Sequence, residues 1–488
     1  MHSYHIFYFP FKWDVLDAAT YDLSTRLSLT NIQPKIGCKW LDMSLCSDTL
    51  EERKSLYDEK DYFYKFVHPI MYDTLKEDSL LKHFKREECI HNPDNCEYRI
   101  VVRQGNSFKE YVLHIDAMNL NFYSTGVGML SFYLINNSYE KFEDVLNINQ
   151  YGRRVFPPFY DDIESRIQTA ESITITGLQG IESRYREDFT NYKVEEDWKT
   201  AGFITNLIAD FQDNLEIIPV IDDRMIVNCW YQDQKIGNRI KTKDEFIYST
   251  DWYRYVFVDK GNDGPTCAND EMRHDLLDNT TYVRWQQEGS IYGASKYSFM
   301  LATDRCWYAE NILSVNMRTI YSRMLELVIM QRATILKFSE EVTHLSVIKP
   351  QFVEQLSARI GSLYKEYIRF INKMFFRDIT AQDQGVDLYK LMMSQFQCEE
   401  RIKELDEEIN ELHAYISLLM DQQRNKNAAW FSLLAAIFLP ATILVGMFGM
   451  NSFGEEFIAR HFIIQCLIGV AITVITLIII FKKKLWVK

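Results

Sequence analysis

The stretch IFLPATILVGMFGMN, residues 437–451, carries an apolar run into a glycine, a methionine and a carboxamide: Gly449, Met450 and Asn451. Around and before it, at steps of three and four, stand Asn425, Ala428, Ser432, Ala435, Leu439, Thr442 and Gly446. On a helix that spacing places all seven on one face. This face is small or weakly polar, while Trp430, Phe431, Leu433, Leu434, Ile437, Phe438, Ile443, Leu444 and Val445 fill the others. Two chemistries fit such a stripe: close packing between helices through small residues, or the wall of a water path. Other groups with chemical potential are scattered. Arg153 and Arg154 could hold a phosphate, and the many Tyr, Phe and Trp rings could stack a base, although surface arginines and core aromatics read the same way. His83, Cys89, His91 and Cys96 lie close together but match no common zinc module. The acid pairs Asp161 with Asp162 and Asp222 with Asp223 could serve a metal-dependent enzyme, yet adjacent residues of a strand face opposite ways. Between Glu399 and Glu411 there are seven acids and two bases, a solvated helix face that an oligomer would turn into a concentrator of cations.

The elements that must position these groups differ along the chain. Up to about residue 303, short aromatic and β-branched runs (EYRIVV, EYVLHI, GVGMLSFYLI, WYRYVFV) alternate with polar turns and helix-like stretches, which predicts a mixed α/β or α+β region. GVGMLSFYLI is apolar on both faces and predicts a central strand covered on both sides. TGVG, at 125–128, is no dinucleotide fingerprint, because the third glycine and the following helix are missing. From Tyr308 helical spacing takes over, first to Lys349 and then from Gln351 to Arg377. A third helix is predicted from Val386 onward without a break, with Leu388, Leu391, Cys398, Ile402, Leu405, Ile409, Leu412, Ile416 and Leu419 as its packed seam.

Residues 428–448 contain 21 positions without a charge, enough at about 1.5 Å per residue to cross a hydrocarbon core of about 30 Å. Residues 462–481 form a second such run. Lys482, Lys483, Lys484 and Lys488 follow it, Arg424 and Lys426 precede the first, and the connection carries Glu455 and Glu456. The positive-inside rule then predicts a multi-pass protein of the inner (plasma) membrane with both termini cytoplasmic. Two helices cannot enclose a water path, so transport requires a homo-oligomer. The net charge of -14 argues against direct nucleic-acid binding and favours cations. Nine scattered cysteines without a C-x-x-C pair predict reduced thiols, and MHSYHIFYFPFKW lacks the pattern of a signal peptide.

Gly449, Met450 and Asn451, with Pro440, Thr442 and Gly446 before them and a short acidic loop, a second apolar run and FKKKLW after them, resemble the CorA family of magnesium channels. The resemblance implies a funnel-shaped homopentamer in the lipid bilayer, conducting or regulated by Mg²⁺ and not an enzyme. Its parts would be a cytoplasmic α/β sensor domain (1–303), stalk helices (304–427), a pore-lining transmembrane helix (428–448), an external loop (449–461), a second transmembrane helix (462–481) and a basic cytoplasmic tail (482–488). Asn425 falls where the family has a pore-facing asparagine, and Lys482, Lys483 and Lys484 correspond to its basic ring. Gly449 would permit the tight exit from the helix, Met450 would pack the turn, and Asn451 would offer a neutral oxygen to the water shell of Mg²⁺, an ion that dehydrates reluctantly. Leu439 would be a hydrophobic gate. Phe448 and Ser452 depart from the family's usual tyrosine and aromatic residue.

The region before residue 308 is larger than the family requires. STGVGMLSFYLIN with INQYGRR is similar to CorA-like membrane effectors associated with type III CRISPR systems, which implies gating by a nucleotide second messenger, with Arg153 and Arg154 as candidate ligand contacts. The alternative is a Mg²⁺ homeostasis transporter gated by intracellular Mg²⁺. A membrane-tethered enzyme and a scaffold without flux are the readings from other classes.

Overall fold

The computed structural model describes residues 1–15, 28–43, 59–72, 79–91, 95–156, 169–179, 182–190, 199–221, 224–242, 246–260, 264–346 and 353–448, with scattered positions between 464 and 478. Two compact units emerge, one of Met1–His344 with Ser362–Glu408, the other of Leu345–Gly361 with Ile409–Lys488.

In the first unit, thirteen strands among the described residues form one sheet. They are β1 (Ser3–Val15), β2 (Trp40–Asp42), β3 (Leu81–Arg86), β4 (Glu97–Gln104), β5 (Ser107–Tyr123), β6 (Val127–Asn136), β7 (Thr169–Thr176), β8 (Arg186–Asp188), β9 (Leu215–Pro219), β10 (Ile226–Gln232), β11 (Thr281–Tyr282), β12 (Ser290–Ser295) and β13 (Ser298–Thr303). The spatial order is β11-β12-β13-β10-β1-β6-β5-β4-β7-β8, with β3 added to β5, β2 to β3 and β9 to β1. The paired strands run antiparallel except β10 and β13, so this region is α+β, built of hairpins rather than of βαβ crossovers. GVGMLSFYLI is central as expected: β6 lies between β1 and β5 and is buried along almost its whole length. TGVG serves that hairpin. Gly126 sits at φ +79 in the turn, and a Cβ on Gly128 would fall 2.4 Å from the Phe11 ring, so one glycine turns the chain and the other admits an aromatic side chain.

WYRYVFV is not a strand. Thr250–Val256 is a helix whose N-cap, Ser249, accepts a hydrogen bond from the Trp252 N–H, and Trp252, Tyr255 and Val256 are buried on one face. Aromatic and β-branched content favours strands only weakly, and a cap with burial at i, i+3 and i+4 outweighs it.

The helices used below are α1 (Phe142–Gly152), α2 (Gly202–Ala209), α3 (Ile320–Ser346), α4 (Val353–Lys373), α5 (Asp383–Gln395) and α6 (Cys398–Phe448). α2 closes the core through Phe203, which meets Tyr98 edge-on at 6.1 Å. Just beyond it Phe211 joins Phe84 and Phe122 at 4.7 and 5.2 Å. α3 lies along the sheet by a ladder of polar contacts. Tyr8 Oη donates to the Ser322 carbonyl at 3.3 Å, Thr125 meets Thr334 at 3.1 Å, and Lys337 donates to the Thr125 carbonyl at 2.8 Å. At its centre the Glu326 carboxylate accepts from Tyr123 at 2.8 Å and from Asn121. Arg323 lies 3.8 Å from Glu326 and 3.4 Å from Glu59.

The expected unbroken helix from Val386 is two helices. Phe396 and Gln397 separate α5 from α6, with Gln397 at φ +54. Most of the seam is buried, at Leu388, Cys398, Ile402, Leu405, Ile409 and Ile416, while Leu391, Leu412 and Leu419 are only half-buried. The expectation of two transmembrane helices is corrected. Among the described residues no helix is long and apolar enough to cross a membrane. The run 428–448 is the distal part of a helix that begins in charged sequence at Cys398, and the run 462–481 is described only at scattered positions.

One buried imidazole makes stability depend on pH. His5 on β1 bonds Ser3 Oγ at 2.8 Å and Asn149 Oδ1 of α1 at 2.7 Å, and burial lowers its pKa to about 4. In the unfolded chain the same ring titrates near 6.5, so between these values only the unfolded state takes up the proton. Stability is therefore expected to fall by up to about 3 kcal/mol as pH drops across that window. Melting temperatures of the purified protein at pH 7.5, 5.5 and 4.5 check this, with a shallower pH slope expected for His5→Gln. An unchanged slope in the variant would remove His5 from the account.

Candidate cation-conducting face

α6 is built for two environments. Through Glu411 it is amphipathic: Cys398, Ile402, Leu405 and Ile409 are buried, while Glu399, Glu400, Glu404, Glu407 and Glu408 face solvent. Arg401 pairs with Glu404 at 2.8 Å, and Tyr367 of α4 donates to Asp406 at 3.0 Å. Among the described residues no group of three or more His, Cys, Asp or Glu side chains is arranged to hold a metal ion, so the acid run of one copy is a charged face rather than a coordination site.

Beyond that point the helix changes character. Asn425, Ala428, Ser432, Ala435, Leu439, Thr442 and Gly446 are helical and exposed, so the structure brings the whole stripe onto one uncovered face. Thr442 Oγ1 donates to the Phe438 carbonyl at 2.8 Å, which satisfies the hydroxyl within the helix. A Cβ on Gly446 would meet nothing within 4 Å, so packing inside the chain does not require glycine there. The bulky faces are exposed as well: Trp430 is 60% exposed, Phe431 72% and Phe438 63%, beside 61% for Leu439 of the stripe. Among the described residues this is an apolar surface of the kind that serves as a contact face.

Gly449, Met450 and Asn451, and likewise Lys482, Lys483 and Lys484, lie outside the described residues, as do Asp161, Asp162, Asp222 and Asp223. Arg153 and Arg154 are separated by the fold. Arg153 is buried beyond the end of α1, its guanidinium donating to Gln150 at 3.3 Å and to the Val258 carbonyl at 3.2 Å. Arg154 is half-buried and forms a backbone bridge to Arg224. Arg224 and Lys296 each lie 5.8 Å from the Tyr297 ring centre. Arg224, Lys296 and Tyr297 were invisible as a group in sequence, because strand pairing brings them together.

The zinc candidates also part. His83 bonds Asn121, while Cys89 and Cys96 are buried thiols whose mutual hydrogen bond raises the first and lowers the second. The side chain of His91 is outside the described residues. All seven described cysteines are free thiols. The Glu326 network was missed by the sequence reading, although a glutamate inside MLELVIM was its signal.

Residues 310–483 match the family model described as CorA-like Mg²⁺ transporter protein. No curated protein and no solved structure matches the chain.

Proposed function

We propose that this chain conducts divalent cations, Mg²⁺ among them, as a homo-oligomer whose copies line a shared water path with the Asn425–Gly446 face of α6, a reading supported by the match of residues 310–483 to the CorA-like Mg²⁺ transporter model. The CorA-like family consists of homo-oligomeric, membrane-located transporters rather than enzymes. The single observation that supports the placement is the exposed stripe of α6: small and weakly polar residues on one face, with exposed bulky apolar residues beside it. Neighbouring copies and lipid are the surfaces that such faces need. Five copies and the oxygen ring of Asn451 are the finer parts of this reading, taken from the resemblance of the Gly-Met-Asn segment. The test is Mg²⁺ flux into liposomes containing the purified protein. Absence of divalent flux under every condition that preserves assembly would overturn the reading.

Leu439 gives a sharper check. As the bulkiest member of the stripe, it narrows a shared path and repels water from it. Leu439→Ser is expected to raise resting conduction by about tenfold or more, because a polar ring lowers the cost of wetting by more than about 1.4 kcal/mol. Its exposure keeps the stability change within about 0.5 kcal/mol. Unchanged resting flux would move the gate to Thr442 or Gly446.

The finer functional reading is gating by a cytosolic ligand, of which a nucleotide second messenger of antiviral defence is the reading from sequence. Two observations support it. The transporter region begins at residue 310, yet everything described before it shares one compact unit with most of α3, with α5 and with the start of α6. Beside Arg154, the pair Arg224 and Lys296 frames Tyr297, a combination able to hold a phosphate and stack a base. The channel is then expected to be nearly silent with Mg²⁺ alone and to open when nucleotide is supplied. Conduction at low Mg²⁺ that closes at high Mg²⁺, with no response to nucleotides, would instead identify a homeostasis transporter.

A further inference from the structure

A pocket of about 230 Å³ opens in the first unit where the turn before β12, the segment leading into the π-helical turn Ala309–Leu313 and the start of α5 converge. Its floor is Tyr292, fully buried and set edge-on against Tyr321 of α3 at 5.8 Å. Its walls include Trp285 and Tyr308, which keep 42% and 54% of their surface exposed. Single exposed aromatics need no explanation, but three rings gathered around one cavity do.

The polar groups of the pocket divide unequally. Gln384 is committed at both ends of its amide: Oε1 accepts from Trp285 Nε1–H at 2.9 Å, and Nε2 donates to Tyr292 Oη at 3.1 Å. That brace ties two of the three rings to one amide. The other polar groups of the lining are the Glu288 carboxylate, the hydroxyls of Ser290, Tyr292 and Tyr308, and the Cys306 thiol, and of these only Glu288 is an ionised acid. The described lining contains no Lys, Arg or His, so an anion entering it would meet a carboxylate and ring faces of negative potential, with only neutral donors to hold it. A cation meets the reverse, since aromatic faces attract positive charge and a carboxylate neutralises it. The neighbourhood already shows the preference on its outer side, where the Arg284 guanidinium lies 5.9 Å from the Trp285 ring centre.

We propose that the pocket framed by Trp285, Tyr292, Tyr308 and Glu288 binds a small organic cation, its ammonium or amidinium group held against the rings and neutralised by Glu288. This site is independent of the α6 face and of the cluster at Tyr297. Because Tyr292 packs on α3 and Gln384 belongs to α5, an occupant also bears on two helices of the transporter region.

Cys306, an exposed thiol in the pocket wall, supplies a reporter in the full-length protein. The experiment is alkylation of Cys306 by iodoacetamide, read by peptide mass spectrometry, with millimolar choline, its neutral isostere 3,3-dimethylbutan-1-ol, or inorganic phosphate added. Choline is expected to slow labelling of Cys306, with the neutral isostere at least about tenfold weaker, the scale of a partly desolvated cation–π contact. Glu288→Gln and Tyr308→Leu, both at exposed positions, are each expected to weaken the protection by choline about tenfold. Equal protection by the neutral isostere would make this an apolar cavity, and protection by phosphate would reverse the assigned charge. A Cys306 already unreactive without additions would mean that another copy of the chain covers the mouth. Each of these results, and equally no protection by choline, overturns the proposal.

Discussion

Replacing Asn451 by alanine is expected to cut Mg²⁺ flux at least about tenfold while leaving assembly intact, the equivalent of about 1.4 kcal/mol lost from a ring of amide contacts. The reason lies in the ion. Mg²⁺ holds its water tightly, so a site that passes it must bind the hydrated ion through neutral oxygens and then release it. Asparagine supplies such an oxygen, alanine supplies none, and aspartate supplies one that is too strongly attractive. Asn451→Asp is therefore expected to bind Mg²⁺ more tightly and conduct it more slowly, a pattern that a merely structural asparagine would not produce. Flux assays on liposomes with matched protein content, alongside size measurements of the oligomer, distinguish these outcomes. Normal flux through an assembled Asn451→Ala oligomer would sink the assignment of the pore mouth. Gly449→Ala is expected to do similar damage through the backbone, provided the helix exit requires a positive φ.

A second large effect is expected far from that segment. Glu326 is almost fully buried on α3, where Tyr123 and Asn121 donate to it and Arg323 lies nearby. Glu326→Leu leaves the Arg323 charge with Glu59 at 3.4 Å as its acidic partner among the described residues and strands two donors of β5, Tyr123 and Asn121. Removing one member of a buried ionic network costs about 3–5 kcal/mol, because the remaining groups have lost the water that once solvated them. The double variant Arg323→Leu/Glu326→Leu removes both charges of that pair and is expected to recover part of the loss. Thermal unfolding of the full-length protein measures both. If the double variant is as unstable as the sum of the single ones, the two residues act separately, and α3 is held to the sheet by its other contacts alone.

Where a pattern depends on neighbours in sequence, it was legible. The stripe from Asn425 to Gly446 and the seam from Leu388 to Ile416 follow from helical spacing, because side chains three or four residues apart share a face whatever else the chain does. The central position of β6 follows from an apolar run that no half-exposed strand would carry. The Gly-Met-Asn segment carried the resemblance to a family whose model matches residues 310–483, since such a motif is short and local.

Sequence failed where distant residues decide the outcome. WYRYVFV has strand-like composition, yet capping by Ser249 and burial of Trp252, Tyr255 and Val256 make it a helix. The break at Gln397 interrupts a seam whose spacing continues straight through it. Arg153 and Arg154, adjacent in the chain, take different roles because one is built into the core and the other pairs with Arg224. The pocket at Trp285, Tyr292 and Tyr308 joins the turn before β12, β12 itself and the approach to α3, and Gln384 comes from beyond α4 to brace it. By itself, then, the sequence determined periodicity and charge. Tertiary structure alone decided which polar groups are buried together, because that depends on contacts between segments hundreds of residues apart, and no local pattern encodes the free energy of making them.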